Sequence, residues 1–201
     1  MRRWIVVALF AVTAVAGPTT GVAEPVWPGP PSEAVRQHID EMIGIAGDAR
    51  LTPAARDDAT RDAIARTFDF SELARRALGA HWARLTPAER RDVTAGLRAM
   101  LTDAYVARVG RAVGVRLDVF RNRVHFVGES VAGGMASVTL RLGYGSRDLP
   151  LSVALVRHGR EWRIWDLAMD GVQLTDNIRA QVARLSRGAD YGEVLARLRA
   201  R

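Results

Sequence analysis

The fold is decided by one stretch, EWRIWDLAMDGVQLTDNIRAQVARLSR, which spans residues 161–187. Its first part is rich in aromatic and bulky apolar residues, which suit a pleated, half-buried strand. Its second part carries one apolar stripe at spacings of four, four and three, made of Leu174, Ile178, Val182 and Leu185. This spacing predicts an amphipathic helix. Asp170-Gly171 predicts a turn between the two parts, because Gly tolerates positive φ.

Two charged residues lie at unexpected positions in this strand and helix. Asp166 alternates with Trp162 and Ile164, so it should point to the same buried side as they do. Arg179 lies next to the apolar stripe of the helix. Because an unpaired buried charge is costly, we expect Asp166 and Arg179 to form a structural pair.

The same stretch resembles the signature segment of the MlaC family, also called toluene-tolerance or ABC-transporter auxiliary-component proteins. The family pattern runs roughly Trp-Lys-Val-Tyr-Asp-Val, then Glu-Gly-Val-Ser-Leu, then Asn-Tyr-Arg-Ser-Gln-Phe. The matching residues are Trp162, Asp166, Gly171, Val172, Leu174, Asn177, Arg179 and Gln181, and the departures are Asp170, Gln173, Ile178 and Val182. A second segment, FDFSELARRALGAHWARLTPAERRDV at residues 68–93, resembles the family's helical segment.

The resemblance implies a shape and a function. It implies a cone related to nuclear-transport-factor and cystatin-like folds, with an apolar pocket. MlaC-like proteins are soluble periplasmic phospholipid carriers without a cofactor. They shuttle lipid between an outer-membrane lipoprotein complex and an inner-membrane ABC transporter complex, which maintains outer-membrane lipid asymmetry. A shuttle that serves two partners would work as a monomer.

The beginning of the chain predicts export. Residues 1–23 read as a signal peptide, with Arg2 and Arg3 before a 13-residue apolar run and small residues before Glu24. A Pro-rich lead-in follows at residues 24–31, and residues 32–201 are expected to form a single domain. Removal of the leader leaves 27 Arg and 22 acidic residues, a net charge of +5. In the periplasm this mild charge favours anionic headgroups or acidic proteins over nucleic acid as partners.

The rest of the chain predicts an α+β fold. Helices are expected first, with caps at Ser32, Thr52, Asp69 and Thr86. From Val115 the apolar period changes to two, most clearly over residues 136–144 and 149–155. The pattern predicts about four antiparallel strands in a curved sheet, followed by C-terminal helices that include one after Asp190.

Catalytic and metal-binding patterns are weak in this sequence. The chain has no Cys, which excludes disulfides and thiolate chemistry. Its four His residues lack the spacing of zinc ligands, so we expect them at the surface or in turns, and we predict no metal site. One enzymatic alternative stays open, in which Asp166 acts as a base beside Tyr144 or Tyr105, as in an isomerase. A protein–protein adaptor, with apolar stripes that serve only as core, is a further alternative.

We predict no catalytic residues and a lipid-binding lining drawn from the apolar stripes of the strands and helices. An acyl chain needs apolar walls, and Arg at the rim would suit a phosphate. The predicted lining consists of Leu97, Leu101, Tyr105, Leu140, Leu142, Leu151, Val153, Leu155, Leu174, Ile178 and Val182.

Overall fold

The computed structural model describes residues 30–112, 123–144 and 147–185, without the side chains of 108–112, 144, 147, 184 and 185. Helices come first: α1 (Pro31–Gly47), α2 (Pro53–Thr67), α3 (Phe70–Leu78), α4 (Ala80–Arg84) and α5 (Pro87–Ala112). Strands follow: β1 (Val124–Ala132), β2 (Met135–Tyr144), β3 (Arg147–His158), β4 (Glu161–Met169) and β5 (Val172–Gln173). Helix α6 (Leu174–Leu185) ends the described part. The predicted leader, the predicted strand at 115–120 and the helix after Asp190 lie outside the described residues.

The strands form one antiparallel meander in the order β1-β2-β3-β4-β5. The α+β class is therefore confirmed, with one strand more than the four expected, because two residues after the Asp170-Gly171 turn pair with β4. Both turn residues have positive φ, 49° and 77°, as a two-residue type I′ hairpin turn requires. The register between β1 and β2 shifts between Phe126 and Gly128 of β1. The register between β3 and β4 shifts between Ala154 and Leu155 of β3. Such bulges bend their strands and increase the local twist.

Most of the predicted helix starts are confirmed by hydrogen bonds. Thr52 accepts from the Ala55 N–H at 3.2 Å, and Asp69 accepts from the Glu72 N–H at 2.9 Å. Thr86 and Glu89 form the reciprocal capping box, with distances of 2.7 and 3.2 Å. These caps satisfy donors that the first turn of a helix leaves without intrahelical partners.

The predicted cap of α1 is wrong. Helix α1 begins at Pro31, one residue before Ser32, since Pro is favourable at the first helical position. Ser32 therefore lies inside the first turn, and its N–H donates to Glu129 Oε2 of β1 at 2.9 Å. A carboxylate from the sheet thus stabilises the start of this helix, in agreement with the helix dipole.

The helices form a layer on the sheet. Helix α1 contacts β1, β2 and β4, whereas α3 and α6 contact each other and β4. Helix α5 packs mainly against α2 and α3. The junction between α2 and α3 is attached to the sheet, because the Asp69 N–H donates to the Ile164 carbonyl at 2.8 Å and an Asp69 carboxylate oxygen lies 2.6 Å from His158 Nε2.

Candidate functional site

One face of the sheet is apolar and covered by the helices; we call it the inner face. Residues that pair across antiparallel strands lie on the same side of a sheet, so the register defines this face. One row across it is Ala136, Leu155 and Ile164, and a second row is Phe126, Leu140, Leu151 and Met169. The inner face therefore extends from β1 to β4.

The inner face is closely packed near the β3–β4 turn. Here Leu155 is 0% exposed, Ile164 is 3%, Trp162 is 6% and Ala136 is 7%. We call these four residues the packed end. A side chain with no accessible surface has no water-sized space beside it, so this end is core in the ordinary sense.

The inner face is partly accessible at its opposite end. Val124, Phe126, Leu151 and Leu167 are only partly buried, although all four pack against the same apolar cluster as the packed end. We call these four residues the open end. Along β3 alone, exposure rises from buried Leu155 and Val153 to partly buried Leu151. A ligand that needs apolar contact can reach protein surface at this end of the sheet.

The structure brings most of the predicted lining together. All of these residues except Leu142 belong to, or pack against, one apolar cluster: Leu97, Leu101, Tyr105, Leu140, Leu151, Val153, Leu155, Leu174, Ile178 and Val182. Leu142 is also buried, at 1% exposure. Contact of any of these side chains with a ligand stays a prediction.

Burial divides the predicted lining into two groups. Leu140 and Leu155 have no accessible surface, so in this conformation they support the interior without lining an accessible space. Leu151 and Tyr105 keep accessible surface and are better placed to meet a ligand. Tyr105 is nevertheless largely enclosed, and burial raises the pKa of its phenol above its ordinary value.

Sequence reasoning missed three residues of the open end: Val124, Phe126 and Leu167. The first two alternate on β1, but the bulge after Phe126 ends the apolar alternation too early for a clear strand pattern. Leu167 was missed because the prediction assigned the buried side of β4 to Asp166. The available signal was the Val-x-Phe alternation at the start of β1.

The predicted pair of Asp166 and Arg179 is wrong. Asp166 is buried in alternation with Trp162 and Ile164, as predicted, but Arg179 is not its partner. Asp166 is 3% exposed and accepts hydrogen bonds from the Thr175 N–H at 3.1 Å, the Thr175 hydroxyl at 2.6 Å and the Leu167 N–H at 2.9 Å. Since Thr175 lies in the first turn of α6, this carboxylate caps the helix from the sheet.

Arg179 is exposed and bonds elsewhere. Its guanidinium pairs with Asp176, one turn earlier on α6, and donates to the Arg76 carbonyl of α3 at 3.0 Å. Arg179 therefore connects two helices at the surface, where an ion pair contributes little to stability.

The prediction of exposed histidines holds for His81, His125 and His158 but is wrong for His38. His38 of α1 is 7% exposed, and neither ring nitrogen has a hydrogen-bond partner among the described residues. Its ring lies 5.8 Å from that of Phe68 and 6.3 Å from that of Tyr105. Burial lowers the pKa of His38 from 6.5 to about 4, because an imidazolium ion would be poorly solvated there.

Within residues 30–112, 123–144 and 147–185, no three acidic or His side chains are grouped so that they could hold a metal ion. In the same part of the chain, no helix combines the length and the apolar character that crossing a membrane requires.

Comparisons with known proteins agree with this architecture. The family model described as MlaC protein matches residues 36–200. A similar solved structure is the phospholipid-binding protein from Ralstonia solanacearum, determined in complex with a phospholipid. It is 19% identical, has a TM-score of 0.67, and the match covers 82% of this chain and 92% of that one. No curated protein sequence matches significantly. Because the family model covers most of its length, the chain belongs to the MlaC family.

Proposed function

We propose that this protein is a periplasmic carrier that holds phospholipid acyl tails in its apolar interior. It shuttles lipid between an outer-membrane lipoprotein complex and an inner-membrane ABC transporter complex, and so helps to maintain outer-membrane lipid asymmetry. The observation that carries the proposal is the inner face of an MlaC-family sheet, fully packed at one end and partly accessible at Val124, Phe126, Leu151 and Leu167. The Ralstonia solanacearum protein of similar fold, solved with a phospholipid, supports it.

The energetics of the task favour an enclosed apolar site. Each CH₂ group is worth roughly 0.8 kcal/mol on transfer from water, so two tails of about thirty CH₂ groups would cost on the order of 20 kcal/mol if exposed. A carrier therefore needs apolar walls around the tails and can leave the headgroup near solvent. We propose the open end as the entrance to such walls, since its residues pack against the apolar cluster that includes residues of α5 and α6.

The first experiment is mass spectrometry of an organic extract of the protein, purified from periplasm without detergent. We expect near-stoichiometric phospholipid, which would also report headgroup and tail number. If the protein carries no lipid, even after incubation with phospholipid vesicles, the carrier proposal is wrong and the adaptor alternative gains weight.

A pair of variants tests where the lipid lies. Leu151→Arg places a charge at the open end. The control, Thr139→Arg, places the same charge at an exposed position nearby, because Thr139 of β2 pairs with Ser152, which follows Leu151 on β3. Leu140 is unsuitable because its side chain is wholly buried, so a charge there would unfold the protein. We expect at least a tenfold loss of bound lipid for Leu151→Arg and none for Thr139→Arg, with circular dichroism as the control for folding. Equal loading of both variants would contradict the assignment of the open end.

The enzymatic alternative has less support. Both carboxylate oxygens of Asp166 are used in hydrogen bonds to Thr175 and Leu167, which favours a structural role over that of a base. Tyr144, one of the two phenols considered with it, has a side chain outside the described residues. Turnover of a small apolar substrate that is lost on Asp166→Asn, with binding kept, would restore this alternative.

A further inference from the structure

Arg36 lies where the apolar inner face meets solvent. It belongs to α1, directly after buried Val35, and its own side chain is 51% exposed. Its guanidinium carbon lies 4.2 Å from the centre of the Phe126 ring. Phe126 is a residue of the open end, paired with Leu140 on the inner face. Stacking on an aromatic face holds the cation beside the apolar surface without burying it.

The ionic contact of Arg36 is looser than that of a comparable stacked arginine. Arg76 lies 4.1 Å from the Trp165 ring centre, but its Nε is 2.6 Å from Glu72, a short charge-assisted contact. Arg36 Nε lies 3.5 Å from Glu33 Oε2, beyond the usual length of such a bond. The guanidinium of Arg36 is therefore well placed to bind a second anion.

Glu33 adds a negative charge at the same place. It lies one turn before Arg36 on α1 and is 42% exposed. Its second oxygen, Oε1, accepts from Gln37 Nε2 at 3.3 Å, which restrains the carboxylate next to the arginine. The margin of the open end thus presents a cation and an anion side by side.

We propose that Arg36 and Glu33 form the subsite for a zwitterionic phospholipid headgroup, an inference that rests on the proposed lipid-carrying function. Arg36 binds the phosphate, because a planar guanidinium matches phosphate oxygens with two parallel N–H donors. Glu33 binds the ammonium group that an ethanolamine headgroup carries. An anionic headgroup lacks this ammonium and meets the charge of Glu33, so it binds less well. Because both side chains are exposed, the preference is severalfold and not absolute.

The test is competitive loading. The protein is incubated with vesicles that contain equal amounts of phosphatidylethanolamine, phosphatidylglycerol and diacylglycerol with identical acyl chains, and the bound lipids are quantified by mass spectrometry. Four proteins are compared: the wild type, Arg36→Gln, Glu33→Gln and the control Arg61→Gln. Arg61 is also a half-exposed arginine, but it lies on α2 and pairs with Asp103 of α5 at 3.2 Å.

We expect Arg36→Gln to lower the ratio of bound phospholipid to diacylglycerol about three- to tenfold. We expect Glu33→Gln to lower the ratio of phosphatidylethanolamine to phosphatidylglycerol, and Arg61→Gln to change neither ratio. Unchanged ratios in the Arg36 and Glu33 variants, in proteins that still carry lipid, would overturn the subsite and leave the carrier function intact. If the wild type takes up no lipid, both proposals fail. Binding of inorganic phosphate alone that depends on Arg36 would replace the headgroup by a free anion as the ligand.

Discussion

The packed end and the open end of the sheet share β3 and β4 but differ in how far their side chains are buried. On β4, Trp162 and Ile164 are buried, whereas Leu167 and Met169, after the bulge, are partly exposed. On β1, the bulge lies directly after Phe126, again next to a residue of the open end. On β4 the bulge lies where burial decreases toward the open end, whereas on β1 the residues beyond the bulge, which pair with buried Val138 and Ala136, are themselves exposed.

This difference teaches how one apolar face can serve two purposes. A regular sheet buried against helices would close its whole face and leave no surface for a ligand. Bulges bend strands, and at the open end residues of β1, β3 and β4 keep accessible surface beside the buried Leu140 and Leu142 of β2. The packed end then provides the free energy of folding, and the open end keeps the apolar surface that a lipid tail needs.

The largest expected effect comes from truncating one residue at each end of β3. Leu155→Ala removes a side chain with no accessible surface and should lower the free energy of unfolding by about 3–5 kcal/mol. Leu151→Ala removes a partly buried side chain and should cost about 2 kcal/mol or less. Urea denaturation followed by circular dichroism, on lipid-free protein, measures both. Equal losses would remove the distinction between the two ends.

The second prediction concerns whether water reaches the buried ring of His38. Its ring lies near that of Phe68, which forms a bridge with Ile164 of the packed end, and near that of Tyr105, which is partly buried. The pKa of His38 is lowered from 6.5 to about 4 in the folded protein, so between these values the unfolded chain binds more protons. Stability must therefore fall as the pH falls through this range.

Protonation of His38 alone should lower the free energy of unfolding by about 3 kcal/mol when the pH falls from 7 to 4. In His38→Leu the contribution disappears, and the difference between the pH dependences of the two proteins isolates it from the carboxylates. Chemical denaturation at both pH values measures the effect. A His38 resonance that titrates near 6.5 in the folded protein would show instead that water reaches this region.

The sequence predicted the elements of the fold but not how burial is distributed over them. Alternation on β2 and β3, the caps at Thr52, Asp69 and Thr86, and the Asp170-Gly171 turn are all local signals, and each was confirmed. Alternation also predicted the burial of Asp166 correctly, but it could not show that donors of Leu167 and Thr175, instead of Arg179, would satisfy the carboxylate. His38 was missed for a related reason, since its burial depends on Phe68 and Tyr105, which are distant in the sequence.

The last prediction distinguishes the observed role of Asp166, which caps α6 through Thr175, from the predicted ion pair with Arg179. Asp166→Ala leaves two backbone N–H groups and the Thr175 hydroxyl without their acceptor, next to the bulge that divides the two ends of β4. The expected loss in unfolding free energy is about 2 kcal/mol. Arg179→Ala removes only surface contacts and should cost about 0.5 kcal/mol or less. A double-mutant cycle in urea denaturation decides between the two arrangements, because independent residues give additive losses, whereas a coupling of 1 kcal/mol or more would restore the ion pair.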